Sequence, residues 1–245
     1  MDPFESARRQ GYADLPVTES AWIFCASRLV GQDPTFVPTH QHLLDTHKLA
    51  TSKSFPNGPL AFMGKARDDI FRDNYLGREL RFERDGRLMA TAFIGIGHAG
   101  FAAIAASRHE HVDSTVHDVP LPAHVLQSDV EGYLIDMLLW SWSFATTIGF
   151  EGEIEVEVSI SDEVPGHPLT LCRVDPDTGA VDLANAYQSP FTPHRFSLWT
   201  HEDPPTVHER LAHAAQSIGQ QFGGYDLQYI IAPDPERPTD FYPTT

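Results

Sequence analysis

The amino-acid sequence predicts an α+β protein in which a mainly antiparallel sheet packs against a long buried helix and a C-terminal helix, after a helical N-terminal segment. Three observations predict this class: a strictly alternating run at 153–160, two β-type runs joined by an Asp-Gly pair, and an apolar run of helical length at 128–148. With 245 residues, of which 41% are hydrophobic, the chain can bury a full core. We therefore expect one domain over residues 1–245, with a flexible N-terminus at 1–14 and a Pro-rich tail at 232–245.

The first part of the chain is predicted to be helical. In the stretch VTESAWIFCASRLVG, apolar residues recur at helical spacing, with Thr18 as an N-cap and Gly31 at the far end, which predicts a helix over 18–31. Further patterns predict a short helix in HLLDTHKLATS, residues 42–52, and another helix over 62–74. The prolines between these stretches separate the elements, because proline interrupts helices and strands.

The next segment, RELRFERDGRLMATAFIGIG, predicts a β-hairpin. Two runs of β-type residues meet at Asp85 and Gly86, the dipeptide that favours a type I′ turn because both central residues take positive φ. We expect the two strands to pair in antiparallel fashion on either side of this turn.

A long helix and an alternating strand follow. The run at 128–148 is apolar on nearly every side and stops at Gly149, which predicts a buried central helix with a glycine C-cap. The run at 153–160 places isoleucine and valine on one side of a strand and acidic residues on the other. We interpret the acidic side as a solvated face made of Glu153, Glu155 and Glu157.

The rest of the chain predicts more strands and a final helix. The strand candidates lie at 168–174, 180–187 and 195–200. Asp203 is the predicted N-cap of a helix that is opened by Pro204 and Pro205 and stopped by Gly223 and Gly224. His208 and His213 fall off the apolar stripe of this helix, so we expect both to be solvated.

Charge and cysteine content limit the classes of function. Seventeen Lys and Arg against 34 Asp and Glu give a formal charge of -17, which repels phosphate backbones and anionic lipids. We expect neither nucleic acid nor a membrane as a direct partner. The N-terminus lacks an apolar core of signal-peptide length, so a cytoplasmic location is expected. Cys25 and Cys172 form neither a disulfide framework nor a thiolate zinc motif, and both are expected to be reduced core residues.

A nucleotide-binding motif is the first candidate site. Gly95, Gly97 and Gly100 have the G-x-G-x-x-G spacing after an apolar run, and Asp118 lies where an acidic residue holds a ribose hydroxyl in dinucleotide-binding proteins. The pattern would place a pyrophosphate at the N-terminus of a helix that begins near Gly100. We favour a β-meander instead, because the preceding run already has an antiparallel partner and GFAAIAAS can return as a strand after a turn at GHAG.

Two H-x-H pairs are the second candidate site. On strands, His40 with His42 and His109 with His111 would each direct two imidazoles to one face, where they could hold a divalent metal and activate water for hydrolysis. The helical spacings of zinc hydrolases are absent from the sequence. The chain has 13 histidines, so some close pairs arise by chance. We favour surface histidines and predict no cofactor, with a divalent metal as the main alternative.

The order of elements also carries a resemblance. The hairpin FERDGRLMATAFIGIG, the long apolar helix and the run GFEGEIEVEVSI resemble the C-terminal region of some bacterial proteins that begin with a Schlafen/AlbA-type nucleic-acid-binding domain, over about a third of the chain. This resemblance implies an accessory or sensing module and brings no catalytic residues with it.

The sequence as a whole predicts a non-catalytic, cytoplasmic interaction or ligand-sensing module. Its partner would be another protein or a second copy of the chain. Two alternatives from other classes stay open: a metal-dependent hydrolase that uses the paired histidines, and a dinucleotide-binding oxidoreductase that uses GIGHAG.

Overall fold

The computed structural model describes residues 4, 21–52, 60, 66–71, 75–84, 87–108, 124–161, 168–174, 181–186, 191–224 and 226–230. Its strands are β1 (Ile23–Leu29), β2 (Ala66–Phe71), β3 (Tyr75–Arg84), β4 (Arg87–Gly97), β5 (Phe101–Arg108), β6 (His124–Leu126), β7 (Glu153–Ile160), β8 (Thr170–Val174), β9 (Val181–Ala186) and β10 (His194–Trp199). Its α-helices are α1 (His40–Thr51), α2 (Gln127–Ile148) and α3 (Pro204–Gln220). The protein is α+β, as predicted.

Seven strands form the main sheet, in the spatial order β10-β7-β1-β5-β4-β3-β2, and all neighbours in it are antiparallel. β1 lies in the interior of this sheet, where Ile23 is opposite Ala106 of β5 on one side and Ile160 of β7 on the other. A smaller sheet has the order β6-β8-β9, with β6 parallel to β8 and β8 antiparallel to β9.

Helix α2 packs on one face of the seven-stranded sheet, which we call the inner face. Trp140 of α2 is fully buried there, and its indole N–H donates to the carbonyl of Gly95 in β4 at 2.9 Å. The hydroxyls of Ser27 in β1 and Ser141 in α2 lie 2.7 Å apart in the same interface. Because apolar side chains of both sheets and of the helices α1 and α3 surround α2, it is the centre of the main core.

The local start and stop signals of the second half are confirmed. Gly149 takes a left-handed conformation, φ 69°, after the last turn of α2. The carboxylate of Asp203 accepts from the backbone N–H of Thr206 at 3.0 Å and caps α3. The strands β3 and β4 pair up to Arg84 and Arg87, on either side of the predicted Asp-Gly turn.

Two helix predictions are wrong. Residues 23–29 of the predicted helix 18–31 form β1, and residues 66–71 of the predicted helix 62–74 form β2. β1 has apolar side chains on both sides because both faces of the sheet are covered at this strand, and such a run has no period that separates a strand from a helix. The predicted helix at 42–52 is found, as α1.

Among the residues that the structure describes, no helix has both the length and the apolar character needed to cross a bilayer.

Candidate functional site

The glycine motif lies in a β-hairpin. β4 ends at Gly97, residues His98–Gly100 make a short 3-10 turn, and β5 begins at Phe101 and pairs back on β4 with Ala102 opposite Ile96. Gly100 has φ +80° inside this turn and does not begin a helix. The β-meander that we favoured is therefore confirmed, and the hairpin lacks the helix N-terminus that the dinucleotide hypothesis requires. Asp118 lies outside the described residues.

The glycines of this motif have structural roles that explain their presence. A side chain on Gly100 would approach Leu29 and Gln32 to 3.0 Å, so glycine lets the hairpin turn pack against the end of β1. The missing side chain of Gly95 leaves room for the ring of Phe93, and its carbonyl accepts from Trp140. These roles are packing roles and need no nucleotide.

The first histidine pair does not converge. His40 and His42 lie in the first turn of α1, where residues two apart point to different sides of the helix. The Nδ1 atom of His42 accepts from the backbone N–H of Thr39 at 3.1 Å, and its ring stacks on Phe36. His40 and His42 therefore lie on a helix and not on the strand that this half of the metal prediction assumed, and the metal site stays a prediction.

His109 and His111 lie outside the described residues. Within the part of the chain that the structure describes, no three or more His, Cys, Asp or Glu residues come together as a metal site would require.

The cysteines are core residues. Cys25 lies in β1 on the inner face, and Cys172 lies in β8; both thiols are buried. Burial raises the pKa of Cys25, and it raises the pKa of Cys172 to about 12, so neither is a thiolate at neutral pH. His213 is exposed as predicted, whereas His208 is buried against the core, which corrects its predicted solvation.

The outer face of the seven-stranded sheet, opposite α2, carries a second and separate apolar cluster. Small side chains lie at its centre, since Ala26 of β1 is paired with Ala103 of β5. Larger rings surround them. The buried members from the sheet and the residue before β1 are Trp22, Phe24, Ala26 and Ala105, and Phe93, Phe101 and Ala103 pack against them.

One further ring completes this cluster, and it comes from the N-terminus. Phe4 is 1% exposed and meets Phe101 of β5 in an edge-on contact with ring centroids 6.0 Å apart. The guanidinium carbon of Arg28 lies 5.8 Å from the centroid of the Phe4 ring, and that of Arg195 lies 5.0 Å from it. We call the residues that hold this ring the Phe4 site: Trp22, Phe24, Ala26, Arg28, Phe101, Ala105 and Arg195.

Both arginines of the Phe4 site are oriented by acidic residues of β7. Arg28 Nε lies 2.5 Å from Glu155 Oε2, and Arg195 Nη2 lies 2.6 Å from Glu157 Oε2. The side chain of Glu157 is only 1% exposed, so the predicted solvated glutamate face is wrong at this position. The glutamates fix the two guanidinium groups beside the ring, where their charge interacts with the π face.

The sequence does not predict the Phe4 site, for two physical reasons. Among the nearby apolar residues, only Met1 and Ala7 lie at helical spacing from Phe4, and the stretch around them is polar, so no long periodic run of apolar residues marks it. Arg28 and Arg195 are brought together by the strand order β10-β7-β1, which a sequence does not reveal. The one available signal was a lone phenylalanine in a polar N-terminal stretch.

No family model, no curated protein and no solved structure matches this chain, so the resemblance to Schlafen/AlbA-associated regions stays a prediction.

Proposed function

We propose that the protein is a non-catalytic interaction module that binds the phenylalanine side chain of a partner protein's segment at the Phe4 site. The observation that carries this proposal is the way Phe4 is held. A single ring, remote in sequence from the sheet, contacts the side chains of three strands and lies beside two guanidinium groups. In this state Phe4 of the protein's own chain occupies the site.

The chemistry of the Phe4 site favours an aromatic ring over an aliphatic side chain. A guanidinium group is attracted to the negative face of an aromatic ring, and Phe101 presents its ring to Phe4 in the edge-on geometry that aromatic pairs prefer. Ala26 and Ala105 leave the depth that a phenyl ring needs. Leucine would fill part of this volume without either interaction.

Competition with Phe4 would control access to the site. A ligand that belongs to the same chain has an effective concentration of the order of millimolar, so a partner segment must displace it. Removal of the Phe4 ring should therefore raise the apparent affinity for an external segment, because the site is no longer occupied.

The test is peptide binding to full-length Phe4→Ala, measured by fluorescence anisotropy with a labelled peptide of sequence MDPFESARRQ. We expect saturable binding to Phe4→Ala, and roughly 100-fold weaker binding to the wild-type protein. The peptide with alanine in place of phenylalanine should not bind. Phe150→Ala is the matched control, since it also removes a phenyl ring but leaves Phe4 in place, and it should behave as the wild type does.

Other outcomes decide against the proposal. If Phe4→Leu, which keeps apolar volume, and Phe4→Ala are both folded by circular dichroism and neither binds the peptide, the Phe4 site is only a packing contact. If the wild-type protein is a dimer in sedimentation analysis and Phe4→Ala is a monomer, the Phe4 site instead holds Phe4 of a second copy of the chain.

A further inference from the structure

A buried carboxylate at the start of α2 is bound by a row of backbone amides. Glu131 has no exposed surface. Its carboxylate accepts from the backbone N–H of Tyr229 at 2.7 Å, of Ile230 at 2.9 Å and of Gln228 at 3.1 Å. The side-chain amide of Gln127, one turn earlier in α2, adds a fourth donor at 2.8 Å.

Three successive backbone N–H groups that point at one anion are a common anion-binding arrangement in proteins. We call the amides of Gln228, Tyr229 and Ile230 the carboxylate nest. Gln127 also donates to the carbonyl of Asp226 at 2.6 Å, so the same side chain orients both the carboxylate and the segment that binds it. The nest and its ligand therefore form one hydrogen-bonded unit.

The carboxylate nest lies in a segment with no regular secondary structure. Residues 226–230 belong to neither sheet and to none of the three helices. Ile230 is buried in the main core, and Tyr229 and Leu227 pack against that core. Burial, followed by the negative charges of Glu131 and Asp129, raises the pKa of the Tyr229 hydroxyl in this segment.

We propose that the carboxylate nest is a carboxylate-binding site whose resident ligand is Glu131, and that this contact is the latch that fastens residues 226–230 to α2. The folded protein is strongly destabilised when a buried charge loses its hydrogen-bond donors, or when buried amides lose their acceptor. The segment therefore has one favourable position while Glu131 is present. The latch is on another part of the molecule from the Phe4 site and needs no external ligand, so it stands or falls independently of the proposed function.

The test is hydrogen exchange of individual amides in the full-length protein. In the wild type we expect the amides of the carboxylate nest to be protected, and in Glu131→Gln to exchange roughly 10- to 100-fold faster. Asp136→Asn is the matched control, because Asp136 is a buried acid of the same helix that accepts from the amide of Leu60 at 2.8 Å. It should lose protection at Leu60 and keep it at the nest.

Chemical rescue tests the binding site itself. In Glu131→Ala, sodium acetate should restore protection at the carboxylate nest, and sodium chloride at the same ionic strength should not. If acetate has no effect although Glu131→Ala is folded, the amides do not form a carboxylate site. If Asp136→Asn loosens the nest as much as Glu131→Gln does, the protection reflects the general stability of α2, and the latch is refuted.

Discussion

The two faces of the seven-stranded sheet are closed in different ways. The inner face is covered by α2, and Trp140 and Ser141 of that helix make hydrogen bonds to fixed partners in the strands. The outer face has alanines at its centre and a rim of rings and charges, and Phe4 adds a ring that needs no hydrogen-bond partner.

This difference separates a core from a binding site. The inner contacts combine apolar packing with hydrogen bonds to the Gly95 carbonyl and the Ser27 hydroxyl, which a phenyl ring from another chain does not reproduce. The contacts of Phe4 are those of a phenyl ring, which a ring on another chain can reproduce. The stability lost through a substitution on the inner face should therefore not be restored by the peptide, whereas the stability lost with the Phe4 ring should be restored when the peptide binds.

The largest expected effect is the loss of Trp140. We expect Trp140→Ala to lower the free energy of unfolding by about 3–5 kcal/mol, because it leaves a cavity and removes the donor to the Gly95 carbonyl. Chemical denaturation followed by circular dichroism measures this change. The peptide MDPFESARRQ should not restore any of it, and a restoration would contradict the division between the two faces.

Loss of the Phe4 ring should cost less. We expect Phe4→Ala to lower the free energy of unfolding by about 2 kcal/mol, the scale for burying one phenyl side chain. Addition of the peptide at 100 times its dissociation constant should raise the free energy of unfolding of Phe4→Ala by about 2.7 kcal/mol, because the peptide binds only the folded protein. The same denaturation experiment with and without peptide measures both numbers. An effect as large as that of Trp140→Ala, with no recovery, would make Phe4 an ordinary core residue.

A smaller effect is the dependence of stability on pH, which involves His194 of the edge strand β10. Burial lowers the pKa of His194 from its ordinary value of 6.5, so the unfolded chain binds more protons than the folded protein below that pH. Stability should be complete above pH 6.5 and fall as the pH drops from 6.5 toward the folded pKa. His194→Gln should flatten this slope in denaturation curves between pH 7 and pH 5. His213→Gln, a change on an exposed histidine of α3, is the control and should leave the slope intact.

The smallest expected effect is on the reaction rate of the Cys25 thiol, which tests whether the two faces of the sheet open separately. Its buried thiol has a raised pKa and points to the inner face, so it should react with dithiobis(nitrobenzoate) at pH 8 only through rare opening. Trp140→Ala should speed this reaction by enlarging the open population. Phe4→Ala should accelerate it far less. Equal acceleration in both variants would mean that the two faces open together.

Local sequence signals predicted the second half of the molecule well. Gly149 and Asp203 end and begin helices through their own backbone and side-chain chemistry, so they act the same way in any fold. β1 was predicted as a helix because it lies inside the sheet and is buried on both faces, which removes the alternation by which a strand is recognised.

The candidate sites were harder to predict because they depend on long-range pairing. The Phe4 site requires β1, β5 and β10 to be brought near an N-terminal residue. Glu131 did carry a signal, since an acidic residue inside a helix buried on nearly every side needs a partner. Its partner lies almost a hundred residues away in the chain, as the separation of 98 between Glu131 and Tyr229 shows, and only the fold reveals it.

The most direct test of the central claim is fluorine NMR of the full-length protein with 4-fluorophenylalanine at position 4. We predict a resonance shifted from that of the free labelled peptide, which moves toward the free position as unlabelled MDPFESARRQ is added, because the ring of the peptide replaces Phe4 at its site. The alanine-substituted peptide should leave the resonance unchanged. A shifted resonance that stays in place at every peptide concentration would show that Phe4 is a fixed part of the core and that the outer face is not an exchangeable binding site.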